Sequence, residues 1–462
     1  MNLQTDIAHC GTCTTTCSAA NNLTCTAGAC VCVTGQTSCS GTCKNLQTDA
    51  ANCGSCGMAC ATGQTCTAGA CVCPTGQTSC SGACKNLQTD AANCGTCGKA
   101  CTTGQTCTAG ACTGGSSGIC DILLAAGNPC VAAHSTVRAL YGAYTGNLYQ
   151  VCKGTFAAGP NSCKGTTMDI GVVTGGYANA AAQDTFCSGG SCTISIIYDQ
   201  SANGNHLKPT PTGGGAVGSA DNPVNATDLK TTLSGHEVYG AYFKGGMGYR
   251  AGCTGCGVVK ATGTATGDAA ETEYMVTSQN GKQEPAGPEG CCFDYGNAET
   301  DLHDDGAATM EAVYFGGGVA WGTGSPGGHA NGPWVMADLE NGLFAGWQNN
   351  QNQNISTNTT LKFNFVTAVV VGDVASQNSG KGRFALYGGN AQSGALTTEW
   401  DGIRPTGYVP MKKQGSIILG TGGDNSDSGT GQWFEGVMAS GAATLQTCNA
   451  IQTNIVAAGY GK

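Results

Sequence analysis

Thirty-two cysteines constrain this 462-residue chain more than any other feature, and 21 of them fall within the first 113 residues. They recur inside a tandem pattern. Asn-Leu-Gln-Thr-Asp begins at Asn2, Asn45 and Asn86; Cys-Gly-x-Cys follows at Cys10, Cys53 and Cys94; Thr-Ala-Gly-Ala-Cys closes at Cys30, Cys71 and Cys112. The full unit, Cys39 to Cys73, holds eight cysteines in 35 residues and no aromatic side chain. So short a unit cannot bury enough apolar surface to fold alone, and disulfides have to hold it. Zinc competes for the Cys-x-x-Cys pairs. The six histidines are scattered, however, and only His9 lies in the Cys-rich part. The array therefore reads as disulfide staples of an oxidising, extracellular compartment, with its internal connectivity open. The first unit lacks the opening cysteine pair and the third lacks the last cysteine, so the sequence reads as starting inside a longer array. Asp6, Asp49 and Asp90 recur at one repeat position and suit turn caps. Arrays of this kind serve as stalks, spacers or adhesion modules.

Residues 114–118, Gly-Gly-Ser-Ser-Gly, read as a flexible linker between the repeats (1–113) and a larger domain (119–462). Charged residues make up only 10% of the chain and the net charge is -10, so no basic stripe exists to neutralise phosphates; nucleic acid is excluded as a partner. The longest apolar run, Phe365 to Val371, is too short to span a bilayer. Met1 is followed by neither a basic nor an apolar leader, which reads as a mature or trimmed secreted chain. Beyond the linker, β-branched or alternating runs recur at Thr193–Tyr198, Met310–Phe315, Phe363–Val371 and Gly415–Leu419, separated by Gly, Asn and Pro turns. This spacing predicts an all-β fold: a two-sheet antiparallel β-sandwich of jelly-roll or concanavalin-like type. Helices are expected at Ala132–Tyr141 and Leu445–Ala458, the latter with Leu445, Ile451, Ile455 and Val456 near one stripe.

The stretch Trp334 to Phe344 carries the clearest chemistry. As a strand it places Trp334, Met336, Asp338 and Glu340 on one face, with Val335, Ala337 and Leu339 on the other. Two carboxylates beside a Trp, followed by Asn-Gly, suit the floor of a sugar cleft; the bland alternative is an edge strand with solvated acids. Asp424 lies in Gly-Gly-Asp-Asn-Ser, a turn whose glycines admit a ligand close to the backbone, and taken alone it reads first as a turn former. Glu299, Asp301, Asp304 and Asp305 form an acidic loop that suits calcium less well than plain solvation. His134 and His206 read as structural hydrogen-bonding residues. One or two of Trp321, Trp334, Trp347, Trp400 and Trp433 suit sugar stacking, and Asn22, Asn225, Asn354 and Asn358 stand in glycosylation sequons. No motif asks for a cofactor or a metal.

Longer blocks carry a resemblance. Cys120-Asp-Ile, Pro129-Cys-Val-Ala-Ala-His134, Ile197-Tyr-Asp-Gln-Ser-Ala-Asn-Gly-Asn-His206, Cys291-Cys-Phe-Asp-Tyr-Gly-Asn-Ala-Glu-Thr300, Asp338-Leu-Glu-Asn341 and Leu419-Gly-Thr-Gly-Gly-Asp424 occur in one order over about residues 119–460. Together they resemble the catalytic domain of fungal α-L-arabinofuranosidase B, glycoside hydrolase family 54. The resemblance implies a β-sandwich and a retaining double displacement, with Glu340 as nucleophile and Asp424 as general acid/base. It implies sugar contacts from Trp321, Asp338, Asn341 and Gly423. It also implies a Cys291–Cys292 bond forming an apolar platform, and bridges Cys120–Cys130 and Cys187–Cys192. The chemistry agrees: a retaining enzyme needs an ionised carboxylate below the anomeric carbon and a protonated acid roughly 5 Å away. Glu340 would stay ionised through neighbours such as Asn341, and its charge would help Asp424 keep a proton.

The chain departs from that family in lacking the usual C-terminal arabinose-binding trefoil, in its N-terminal array, and in Gly342, where the family has Asn. Cys152, Cys163, Cys253, Cys256 and Cys448 are extra; proximity pairs the first four as 152–163 and 253–256. Both domains then hold odd cysteine numbers, so Cys448 is expected to bond to an array cysteine. The expected function is a secreted exo-α-L-arabinofuranosidase trimming arabinose-containing polysaccharides. The rival is a structural, adhesive or filament-forming protein with the sandwich as building block or lectin. The repeats fit self-assembly or cell-surface attachment under either reading.

Overall fold

The computed structural model describes the chain except residues 1, 102–105, 114–116, 215–217, 279–291, 317–320, 323–332 and 347–358, together with the side chains of 106, 113, 321 and 322. Two compact units result, Met1–Ser116 and Ser117–Lys462.

The first unit is a run of two-stranded hairpins whose strands are three or four residues long, such as Thr65–Thr67 with Ala70–Val72. Disulfides repeat as the sequence does. Cys53–Cys66 and Cys60–Cys71 staple the middle hairpin, and Cys94–Cys107 and Cys101–Cys112 repeat them one unit on. Cys32–Cys43 and Cys73–Cys84 join successive units, so the array is covalently continuous. In the chain-entropy view each such loop of about 15 residues contributes about 3 kcal/mol, which replaces the missing core. Three cysteine triplets, Cys53, Cys60 and Cys71 among them, come within 4.8 Å, but every member is spent in a disulfide and no zinc ligand remains there. The glycine of Cys-Gly-x-Cys is structural: Gly54 has φ +73°, and a Cβ would meet the Gly69 carbonyl oxygen at 2.5 Å. Asp6, Asp49 and Asp90 accept the backbone N–H two residues on at 2.8–2.9 Å, as turn caps do.

The second unit is the sandwich. One sheet runs in the order Cys130–Ser135, Gly431–Ser440, Glu271–Ser278, Phe365–Asp373, Arg383–Asn390, Thr397–Gly402, with Ala241–Phe243 also paired to Gly431–Ser440. The other runs Lys208–Pro209, Tyr249–Ala251, Ser416–Leu419, Asp294–Ala298, Glu311–Gly316, Trp334–Asp338, Gly342–Phe344, Trp321–Gly322. Every pairing within them is antiparallel. Val313, Phe315, Val335 and Ala337 face Val366, Ala368, Val370 and Leu386 in one continuous core. Helix Leu445–Ala458 forms where expected, with Thr444 accepting from Thr447 N–H and Gly459 closing it at φ 71°. Ile451 and Ile455 are buried, whereas Leu445 is exposed.

Two expectations fail. Ala132–Tyr141 is not a helix: Cys130–Ser135 is a strand paired to Ala439–Glu435, and Asp199 Oδ1 accepts Ala133 N–H at 2.9 Å. Its residues are buried on both faces, so sheet pairing overrides the helix propensity of Ala132 and Ala133. Cys448 is not bonded to the array: it is a free thiol, 0% exposed, on the inward stripe of the last helix beside Ile451 and Ile455. Among the described residues the other free cysteine is the exposed Cys13, at the repeat position where Cys56 and Cys97 bond Cys39 and Cys80. Cys120–Cys130, Cys152–Cys163, Cys187–Cys192 and Cys253–Cys256 are formed as expected. His134 bridges Tyr295 Oη and the Asn205 carbonyl at 3.0 and 2.8 Å, and His206 Nδ1 accepts from Asp199 N–H at 3.0 Å; both are structural.

Candidate active site

The site lies on the outward face of the second sheet. Val335, Ala337 and Leu339 enter the inter-sheet core, while Met336 packs outside with Tyr314 and Leu343. Asp294 stands opposite Tyr314, which in turn stands opposite Met336, while Asp338 stands opposite Ala312. Asp294 and Asp338 therefore share that outward face.

Glu340 is not on the strand, as its spacing suggested. The strand ends at Asp338, and Leu339 N–H closes on the Gly342 carbonyl at 3.0 Å. Glu340 and Asn341 are the two central residues of the resulting tight turn, with φ 59° and 54°. Positive φ at both positions is the signature of a type I′ hairpin turn. A Glu there is backbone strain, which persists where the surroundings over-determine it. Here Asp338 Oδ1 accepts Glu340 N–H at 3.2 Å, and Tyr408 Oη donates to the Asn341 carbonyl at 2.7 Å. Asn341 does not support the Glu340 carboxylate; its amide donates to Asp304 Oδ1 at 2.7 Å.

A second loop, Gly420 to Ser426, lies over this hairpin. Asp424 Oδ1 accepts from Ser426 N–H and Oγ–H at 2.9 and 2.6 Å, so the turn-forming role is present. The adjoining glycines show how tightly the acids converge. A Cβ on Gly423 would sit 2.0 Å from Glu299 Oε2 and 2.6 Å from Glu340 Oε2. One on Gly422 would sit 3.2 Å from Cys292 Sγ and 3.4 Å from Asp424 Oδ1. Cys292 Sγ lies 3.7 Å from Asp338 Oδ2 and is engaged in a disulfide. Cys291, and with it the expected Cys291–Cys292 bond, lies outside the described residues, as does the Trp321 side chain. Cys292, Asp294 and Asp338 come within 4.8 Å, but a disulfide sulfur is no thiolate ligand.

Three residues that the sequence reading did not place in the site belong to it. Glu299 is buried at 0% exposure. Arg250, 1% exposed, donates to the carbonyls of Glu299, Gly422 and Gly423 at 2.8, 2.7 and 2.9 Å, tying the acid loop to the sheet. Asp294 is fully buried, and burial pushes its carboxyl well above the carboxylate range. Glu299 had a signal, since it sits inside the quoted Cys291–Thr300 block. The sequence groups it with Asp301, Asp304 and Asp305, which stay exposed, although Asp305 is near enough to add to its charge environment. Arg250 had none. Burial raises Glu299 and Asp338 to about 7 each, and burial with Glu299, Asp338 and Asp424 nearby pushes Glu340 up too. A separate cleft of about 240 Å³, lined by His206, Lys208, Cys256 and Val258 among others, shares only Arg250 with this cluster.

An all-β sandwich with acids converging under a glycine loop has the class of constellation that glycoside hydrolases use. The chain belongs to the α-L-arabinofuranosidase B catalytic family, whose sequence profile matches residues 119–461. It is 47% identical over 353 residues to an arabinofuranosidase/β-xylosidase of Trichoderma koningii, covering 75% of this chain and 63% of that protein. It is 48% identical over 350 residues to a probable α-L-arabinofuranosidase B of Aspergillus fumigatus, covering 74% and 62%. The chain thus spans less than two thirds of the length of these curated relatives. A solved arabinofuranosidase complexed with arabinofuranosyl-α-1,2-xylobiose superposes with TM-score 0.64 at 44% identity, over 74% of this chain and 66% of that one. Residues 72–114 match the stigma-specific STIG1-like family.

Proposed function

We propose that this protein is a secreted, retaining exo-α-L-arabinofuranosidase that removes arabinofuranose from polysaccharide side chains. The observation that carries the reading is the convergence of Glu340, Asp424 and Cys292 on Gly422 and Gly423, a surface with no side chains of its own to hold a sugar off. In the first step a Glu340 carboxylate oxygen attacks the anomeric carbon, the glycosidic bond breaks, and Asp424 delivers its proton to the leaving oxygen. In the second, Asp424 takes a proton from water, whose oxygen displaces Glu340 and restores the α configuration. Asp338, Asn341, Gly423 and Trp321 are assigned to the sugar, with a Cys291–Cys292 platform beneath it. The relatives' names and the bound arabinofuranosyl-xylobiose of the solved neighbour support this substrate class.

Residues 119–462 form the catalytic domain in this reading, 114–118 the linker, and 1–113 a spacer. The inter-unit bridges Cys32–Cys43 and Cys73–Cys84 suit a stiff stalk for self-assembly or cell-surface attachment. The density of disulfides supports secretion. The test is hydrolysis of an aryl α-L-arabinofuranoside followed by NMR. The first product should retain its configuration, Glu340→Ala should abolish turnover with the fold intact, and Asp424→Ala should slow natural glycans more than aryl ones. An inverted product, or an active Glu340→Ala variant, sinks the assignment.

A further inference from the structure

Glu299 raises a question of charge that the double displacement does not answer. Its carboxyl group is fully buried, and Oε2 has no hydrogen-bond partner among the described residues. That same oxygen and Glu340 Oε2 both lie within 2.6 Å of one point, the place of a Cβ on Gly423. Two ionised carboxylates cannot stand so close in a site that excludes water, yet a nucleophile has to be ionised. One of the pair must be neutral.

The hydrogen bonds around Thr309, whose N–H also reaches the Gly306 carbonyl at 3.3 Å, offer a way to choose. Thr309 Oγ lies 2.6 Å from the Gly306 carbonyl oxygen and in short contact with Glu299 Oε1. A hydroxyl has one proton to donate, and the Gly306 carbonyl can only accept. If Thr309 gives its proton to Gly306, the contact with Glu299 needs a proton from Glu299. A protonated Oε1 then donates to Thr309, and the orphaned Oε2 is a carbonyl oxygen rather than half of a carboxylate. Glu340, 7% exposed at the turn apex, is left to carry the charge.

We infer that Glu299 is a positioning residue that works as a neutral carboxylic acid, held in that state by the relay Glu299 Oε1–H to Thr309 Oγ–H to the Gly306 carbonyl, so that Glu340 can be the anion. This rests on Glu340 being the nucleophile. Asp305 and Glu340 add negative charge beside Glu299, while Arg250, the cation against it among the described residues, turns three of its donors to backbone carbonyls. Burial and the neighbouring acids lift Glu340 further still, so the choice between the two carboxyl groups rests on the hydrogen bonds and not on the surrounding charge.

The experiment compares kcat/KM against pH for the full chain, Glu299→Gln, Thr309→Val and the double variant, on an aryl α-L-arabinofuranoside. Glutamine keeps the shape, donates to Thr309 and is always neutral, so Glu299→Gln should still turn over, with its alkaline limb at or above the parent's. Thr309→Val removes the acceptor of the Glu299 proton, so Glu299 should ionise earlier. The alkaline limb should then move down by about one pH unit, and the double variant should restore it. Loss of a hundredfold or more in a folded Glu299→Gln variant, or an unmoved limb in Thr309→Val, overturns the inference. An infrared difference spectrum of parent against Glu299→Gln gives a readout free of turnover. One protonated-carboxyl band should vanish at pH 6, and its absence from the parent also overturns the inference, even if arabinofuranosides prove not to be the substrate.

Discussion

Arg250→Met tests how far the site depends on one buried cation. Methionine fills much of the volume of the arginine stem, so the loss is polar. The guanidinium's three donations, at 2.7–2.9 Å, disappear, and the carbonyls of Glu299, Gly422 and Gly423 are left in a place water does not reach. Hydrogen bonds to a charged group contribute about 1.5–3 kcal/mol each, but they do not add, and removing the guanidinium also relieves its own burial. The balance expected for breaking a buried charged assembly is about 3–5 kcal/mol. The unit Ser117–Lys462 has an unfolding entropy of about 0.7 kcal/mol per kelvin at about 2.1 cal/mol/K per residue. The apparent Tm of that unit in scanning calorimetry should therefore fall by about 4–7 °C. Activity should fall further than stability, because the Gly422–Asp424 loop loses its anchor; about a hundredfold in kcat/KM is expected for a misplacement near 1 Å. Arg250→Lys should fall between, since one ammonium cannot serve all three carbonyls. A Met variant that melts with the parent would falsify the claim that Arg250 ties the loop down.

Gly423→Ala places a methyl 2.0 Å from Glu299 Oε2 and 2.6 Å from Glu340 Oε2, so both carboxyl groups must move. About 1–3 kcal/mol of stability and most of the activity should be lost, and an Ala variant with parental kcat/KM shows that the acids have room. Glu299 has a folded pKa of about 7 against an ordinary 4.5, so the folded state binds the extra proton and its stability is greatest below pH 4.5. Relative to Glu299→Gln, the parent should lose up to about 3 kcal/mol as pH rises from 4.5 through 7; urea midpoints that shift in parallel at pH 4.5 and 8 rule this out. Thiol labelling of the native, unreduced protein should modify Cys13 and spare Cys448, whose thiol is buried and raised to about 12, until the chain unfolds. Early labelling of Cys448 contradicts the packed helix.

Short-range features were legible. Cys152–Cys163 and Cys253–Cys256 close loops small enough to pair by proximity, and the helix Leu445–Ala458 forms as its 3.6-residue pattern predicts, with Ile451 and Ile455 of the stripe buried. The alternation that sends Val335 and Ala337 inward and Met336 outward is likewise a property of an extended backbone, and so is the face on which Asp338 lands. The same alternation misplaced Glu340, because a type I′ turn needs positive φ at two residues and Glu-Asn is a weak signal for it beside Asn-Gly. The strand at Cys130–Ser135 was hidden for the opposite reason: a strand buried on both faces shows no period.

By itself the amino-acid sequence determined what is local or compositional: an oxidised array in place of a core and an all-β second unit; it offered Asp338 and Glu340 from their spacing and Asp424 through the family resemblance. The tertiary structure alone decided which other groups those acids meet. Glu299, Thr309 and Arg250 reach the cluster across gaps of 10 to 173 residues, and Cys448 turned inward to stay a thiol. Charge state is set by distance, burial and the direction of each hydrogen bond, and none of these is a property of neighbours along the chain.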